Sequence, residues 1–227
     1  MKKKKKPSFP MPAAHRKLVD RLSRDLKPVP PPVSLTFQWM VWAILNIALL
    51  GLFLAQFHLR SDLGALSFWG AILLMLVGAG LAAYGALEAG VPGEEGRGRW
   101  KFWAAVFAWG CALAWTFLAL PGEWKVYTPV LSPDSCFAVV LEMGVLFGAI
   151  LFFFLKKTAP LRPFRAGLWA GASAFLMGLA AVSLHCPSGN LFHILMEHFL
   201  PVLVYAFLVA LLTAGWLSKW RKKPLSN

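Results

Sequence analysis

Apolar positions gather in six runs separated by short polar or proline-rich breaks: Thr36 to His58, Ser67 to Glu88, Trp100 to Leu120, Cys136 to Leu155, Ala166 to His185 and Phe199 to Ser218. Each reaches about 20 residues, and at a rise of ~1.5 Å per residue each can cross a ~30 Å hydrocarbon layer as a helix. The pattern predicts an all-α fold, a polytopic membrane protein whose residues 36–218 form a bundle of six transmembrane helices. The first run begins too late and is too long for a cleavable signal peptide, and no small-residue cleavage site follows it. It is read as a span that stays in the chain.

A different periodicity precedes the first run. In Ala13 to Lys27, Leu18, Leu22 and Leu26 recur every four residues with Val19 beside them, while Asp20, Arg21, Arg24 and Asp25 fall on other faces. This predicts a short amphipathic helix. The prolines at Pro28 and Pro30 to Pro32 end it and favour an extended, stiff spacer to the membrane. Residues 1–11 place a block of like charge beside prolines and have nothing to bury. Residues 1–35 thus read as a basic, partner-binding tail and 219–227 as a second basic tail. The longest remaining loop, Pro121 to Ser135, is too short to bury a core of its own.

Composition agrees: 58% of the 227 residues are hydrophobic and 15% charged, far from the balance of a soluble domain. Lys and Arg then set the orientation, since short loops retain them on the cytoplasmic side. The N-terminal tail carries ten, the loop at 91–101 three, the loop at 156–165 four and the C-terminal tail four, against Arg60 and Lys125 on the other side. Both termini are therefore expected in the cytoplasm of a bacterial cell, with the chain in its inner membrane. The net charge of +13 is mostly this topological signal. Lys2 to Lys6 fit anionic lipid head groups better than nucleic acid, and no direct nucleic-acid partner is expected.

Orientation places the chemistry. His58, His185, His193, His198, Cys136 and Cys186 fall at the external face, whereas His15 is internal and Cys111 lies mid-span. Gly144/Gly148 and Gly167/Gly171 are GxxxG spacings of the kind that lets membrane helices approach closely. The link between the fourth and fifth runs is short, so these two should pack antiparallel and bring Cys136 and Cys186 to one depth, within disulfide reach. Three readings stay open: a structural disulfide, a reversible redox switch, and a thiol pair that captures a soft metal. His185, His193 and His198 are candidate metal ligands. His193 and Glu197 would share a helical face, but at 100° per residue His198 lies about 140° away from His193. Cys111 reads as a small buried hydrophobe, and Glu142 as a costly charge that should pair, protonate or face a cavity. No CxxC or HExxH is present, which argues against an enzyme. A membrane thiol oxidoreductase and a small transporter using Glu142 are the alternatives.

The segments KLVDRLSRDLKPVPPP, Cys136-Phe137, APLRPFRAGLWAGASAF (Ala159 to Phe175) and LHCPSGNLFHILMEH (Leu184 to His198), in this order on a six-span plan, resemble the membrane anti-sigma proteins of the negative regulator of sigma F type. The resemblance covers about Lys17 to Trp220. It implies a protein that holds an extracytoplasmic-function sigma factor at the inner face and releases it on an external metal or oxidant signal. Cys136 and Cys186 match the two cysteines associated with that sensing, and Leu18, Val19, Leu22 and Leu26 would bind sigma. No resident cofactor is implied; a soft metal enters only as a signal.

Overall fold

Without water to pair with, a backbone inside a bilayer has to satisfy its own hydrogen bonds, and a helix does so within one segment. The computed structural model describes residues 33–57, 59–60, 66–91, 99–119, 135–158, 160, 162–186 and 190–221. The apolar runs appear there as α1 (Leu35–Gln56), α2 (Leu66–Glu88), α3 (Arg99–Ala119), α4 (Cys136–Thr158), α5 (Pro163–His185) and α6. The last starts with one α turn, Leu191–His193, passes through a π-helical turn, Ile194–Phe199, and runs on as Leu200–Arg221. Among the described residues there is no strand. The amphipathic segment at 13–27, with Leu18, Val19, Leu22 and Leu26, lies outside the described residues.

Local chemistry sets the helix starts. The Ser34 hydroxyl accepts from the Phe37 amide at 3.2 Å and caps α1. Pro163 opens α5, where its missing N–H costs nothing. Asn190 caps α6, its Oδ1 accepting from the amides of Phe192 (2.9 Å) and His193 (3.4 Å). The sixth helix therefore begins eight residues before the expected Phe199, because the cap and not the apolar run decides its start. Among the described residues, five helices are long and apolar enough to cross a membrane: α1, α2, α4, α5 and α6. In α3 the apolar stretch is the shorter Trp103–Ala114, with Arg99 and Lys101 at the start of the helix.

Residues 34–227 form one unit whose helices alternate in direction. At one end, called here the thiol end, α1 finishes with Phe57 against His185 at the end of α5, and the Arg60 amide donates to the Leu184 carbonyl at 3.1 Å. Cys136 at the start of α4 and His193 at the start of α6 lie at this same end. At the opposite end, Gly90 after α2 approaches Thr158 of α4 so closely that a Cβ would sit 2.7 Å from the threonine Cβ. Lys156 of α4 lies 6.0 Å from the Trp216 ring of α6, and Phe152 stacks on that ring at 5.1 Å.

The centre is α5, buried along nearly its whole length, whereas α1, α4 and α6 each leave large apolar side chains such as Ile44, Val145 and Leu212 exposed for lipid. The glycines explain how α5 is enclosed. A Cβ on Gly171 would lie 2.8 Å from the Ala206 Cα of α6, and one on Gly178 would lie 2.9 Å from the Val140 carbonyl of α4. Backbones touch on both sides. Gly144 and Gly148 of α4 do face α5, meeting Phe175 and Ala174, but Gly167 and Gly171 face α6 instead. Glu142 is exposed on the surface of α4 rather than turned inward. It lies six residues, or ~9 Å, from the thiol end, a distance at which a carboxylate can reach toward the head groups.

Candidate functional site

Three helix ends converge at the thiol end and carry the polar chemistry. Cys136 is the first residue of α4, Cys186 follows the last residue of α5, and His193 and His198 belong to the first turns of α6. One potential ligand atom from each of these four lies within 4.8 Å of every other. Within the set, Cys186 Sγ lies 3.4 Å from His193 Nε2. The two thiols are not joined in a disulfide.

The π turn makes the fourth member possible. On a regular α-helix residues five apart point in different directions, which is why His198 was expected to face away from His193. Here the Leu200 amide donates to the Leu195 carbonyl, an i→i+5 bond that widens the turn and brings residues five apart nearly above one another. The two imidazoles meet edge to face with centroids 5.2 Å apart. The local cause is Pro201. It has no N–H for the Glu197 carbonyl, and in a regular α-helix its ring would clash with that carbonyl, so the preceding turn opens. Sequence reasoning passed over Pro201, the one signal that could have placed His198.

His185 lies apart from the cluster. Its ring packs edge-on against Phe57 (5.5 Å) and Phe53 (6.4 Å). Glu197 does join: its Oε2 stands 3.8 Å from His193 Nδ1, on the side of the ring opposite the thiol. His58 lies outside the described residues, and Cys111 is half-buried in α3.

The site is dry. Cys186 is 5% exposed, His193 7%, His198 3% and Glu197 2%. The Cys186 thiol is nevertheless held far below the usual thiol range, first by the hydrogen bond from the Cys136 thiol, with burial opposing and His193 and His198 adding to the effect. A thiolate is both the nucleophile toward oxidants and the ligand for soft metals. Cys136, Cys186, His193 and His198 are thus the residues that could hold a metal, and the paired thiols those that could oxidise.

Residues 22–220 match the family described as negative regulator of sigma F, and this span includes all four cluster residues. The chain belongs to that family. It is 29% identical to the Anti-sigma-F factor NrsF of Caulobacter vibrioides (strain NA1000 / CB15N) over 223 residues, covering 89% of this chain and 96% of that protein. No solved structure matches. Family membership makes this an anti-sigma factor, a regulatory role, and it sets the cluster in a helical membrane protein whose partner is a sigma factor. The match starts at residue 22, so Leu22 and Leu26 fall within it, whereas Leu18 and Val19 precede it.

Proposed function

We propose that this anti-sigma factor spans the bacterial inner membrane six times with both termini in the cytoplasm. It sequesters an extracytoplasmic-function sigma factor through Leu18, Val19, Leu22 and Leu26, and releases it when Cys136 and Cys186 meet a metal or oxidant outside. The observation that carries the reading is the family match over residues 22–220, which sets a sigma-binding role beside a thiol pair, one half-buried and one buried. The excess of Lys and Arg in the two tails and in the 91–101 and 156–165 loops supports the orientation, and the alternating helix directions suit it. The sigma contact is an apolar stripe laid into a groove between partner helices.

Sigma release then depends on transmission along α4, α5 and α6, which carry the cluster at one end and reach the opposite face at the other. To pass from mostly bound to mostly free, the signal has to favour the released state by about 5.5 kcal/mol, which covalent or coordinate chemistry at two thiols can supply. The test is co-purification of the full chain with the sigma factor of its own cell. Leu22→Asp with Leu26→Asp should abolish co-purification while the protein still accumulates in the membrane. Retention of sigma by that double variant would remove the stripe from the account.

A further inference from the structure

The thiol pair needs no histidines to form a disulfide, yet two imidazoles and a carboxylate are buried around it. We propose that Cys136, Cys186, His193 and His198 bind one divalent d10 ion, of the zinc and cadmium class, in four-coordinate geometry, with Glu197 as the positioning residue that orients His193. This deepens the sensor reading of the same site and rests on it only for the purpose of the metal, not for its chemistry.

Three observations carry the assignment. The first is distance. With metal bonds of about 2.3 Å to sulfur and 2.0–2.1 Å to nitrogen, ligand atoms of a tetrahedral centre stand about 3.4–3.8 Å apart. The Cys186 Sγ to His193 Nε2 separation of 3.4 Å is already such an edge, and none of the four atoms is more than 4.8 Å from another. Closing the set around an ion takes movements of about 1 Å or less.

The second is the wiring of His193. Nε2 faces the thiol and Nδ1 faces Glu197 Oε2 at 3.8 Å. A histidine ligand commonly donates its other ring N–H to a carboxylate, which fixes the tautomer and raises the basicity of the metal-facing nitrogen. The third is unmet hydrogen bonding. His198 Nε2 and both Glu197 carboxylate oxygens are buried without a hydrogen-bond partner, and buried polar atoms left that way call for an ion or another partner.

Charge selects the class of ion. Two thiolates and two neutral imidazoles around a divalent ion sum to zero, leaving Glu197 to pair with the polarised His193 ring. A monovalent ion such as cuprous copper would leave a further uncompensated negative charge in a largely buried site, which is costly. The sulfur and nitrogen donors also disfavour magnesium and calcium, which prefer all-oxygen shells. Both sulfurs enter the metal's shell as thiolates, and a thiol proton still held at that point passes to solvent. No electron is transferred.

The test uses reduced, purified full-length protein in lipid nanodiscs, titrated with Co²⁺ as a spectroscopic stand-in and then with Zn²⁺. One equivalent of Co²⁺ should produce the intense visible bands of a tetrahedral site with thiolate charge transfer, and Zn²⁺ should erase them. His193→Gln and His198→Gln should each lose the tetrahedral spectrum, whereas His185→Gln should keep it. Glu197→Gln should keep the spectrum with affinity lowered about 10- to 100-fold, the size of effect typical of an outer carboxylate. Absence of a tetrahedral spectrum in the wild type overturns the site, and so does an unchanged spectrum in both His193→Gln and His198→Gln. An unaltered affinity in Glu197→Gln overturns the positioning role. Sigma co-purification run on the metal-free protein separates the two readings: cobalt binding by a protein that retains no sigma when metal-free counts against the sigma contact, and sigma retention without cobalt binding counts against the metal site.

Discussion

The two parts of α6 follow opposite packing rules. Below Pro201, Ala206 and Ala210 lie against Gly171 and Gly167 of α5 with backbones touching, and Leu203, Leu208 and Leu212 turn outward to lipid. Above it, Leu191–Phe199 buries two histidines and a glutamate and makes room for them with a π turn. The lower part has no space to give. The upper part has donor atoms held slightly too far apart, which an ion or a disulfide would draw together. A helix that is tight at one end and adjustable at the other passes a local contraction on as movement of the whole element. If the proposed function holds, the difference between these halves would let a contraction at the cluster move the whole element.

The largest way to break that contrast is to force space into the tight half. Gly171→Leu has no room beside the Ala206 backbone of α6 and should abolish accumulation of folded protein. Gly51→Leu, where a Cβ meets nothing within 4 Å, should accumulate normally. Membrane-fraction yield and monodispersity in detergent check both. Equal yields for the two would remove the claim that the lower part of α6 has no space to give against α5.

The next largest effect comes from removing the adjustable half. Pro201→Ala restores a hydrogen-bond donor and a residue about 3 kcal/mol more favourable within a helix. The i→i+5 turn should then relax to regular α-helix and turn His198 away from His193. The protein should become more resistant to thermal unfolding yet lose its tetrahedral cobalt spectrum. A retained spectrum would mean that the wide turn does not depend on the proline.

How legible was this contrast in the sequence? The helices were, because runs of about twenty apolar residues have few other solutions in lipid. The convergence of Cys136 and Cys186 followed from one short link between antiparallel helices. Gly178 was not legible as a contact, since close approach is a property of two helices and only one of them is visible at a time. His185 adjoins Cys186 in the chain but turns to Phe57, while His198, twelve residues further on, comes in through a turn whose period the regular 100° rule does not describe. A proline early in an apolar helix, following a histidine-rich turn, was the available clue. The sigma-binding stripe lies outside the described residues, so for it the periodicity of Leu18, Leu22 and Leu26 still stands alone.

The smallest expected effect sharpens the chemistry of the upper half. Because the Cys186 thiol sits far below the usual range, its thiolate should persist in metal-free protein as pH falls from about 8 to 6, where an ordinary thiol loses about tenfold reactivity per unit. Iodoacetamide labelling of Cys186, read by peptide mass spectrometry, should be nearly flat over that range. In Cys136→Ala, which removes the leading hydrogen bond, labelling should recover a steeper dependence on pH. Parallel profiles in the two proteins would contradict the thiol pairing.

The central claim is that chemistry at Cys136, Cys186, His193 and His198 on one side of the membrane loosens sigma on the other. The most direct measurement is release of labelled sigma from the full-length protein in nanodiscs, followed by fluorescence anisotropy as Cd²⁺ is added. Wild type should release sigma as the site fills. Cys136→Ser, Cys186→Ser and His198→Gln should hold it at the same metal concentration, and Cys111→Ser should release like wild type. If the wild-type site fills, as judged by displacement of Co²⁺, and sigma stays bound, the cluster and the sigma surface are not coupled.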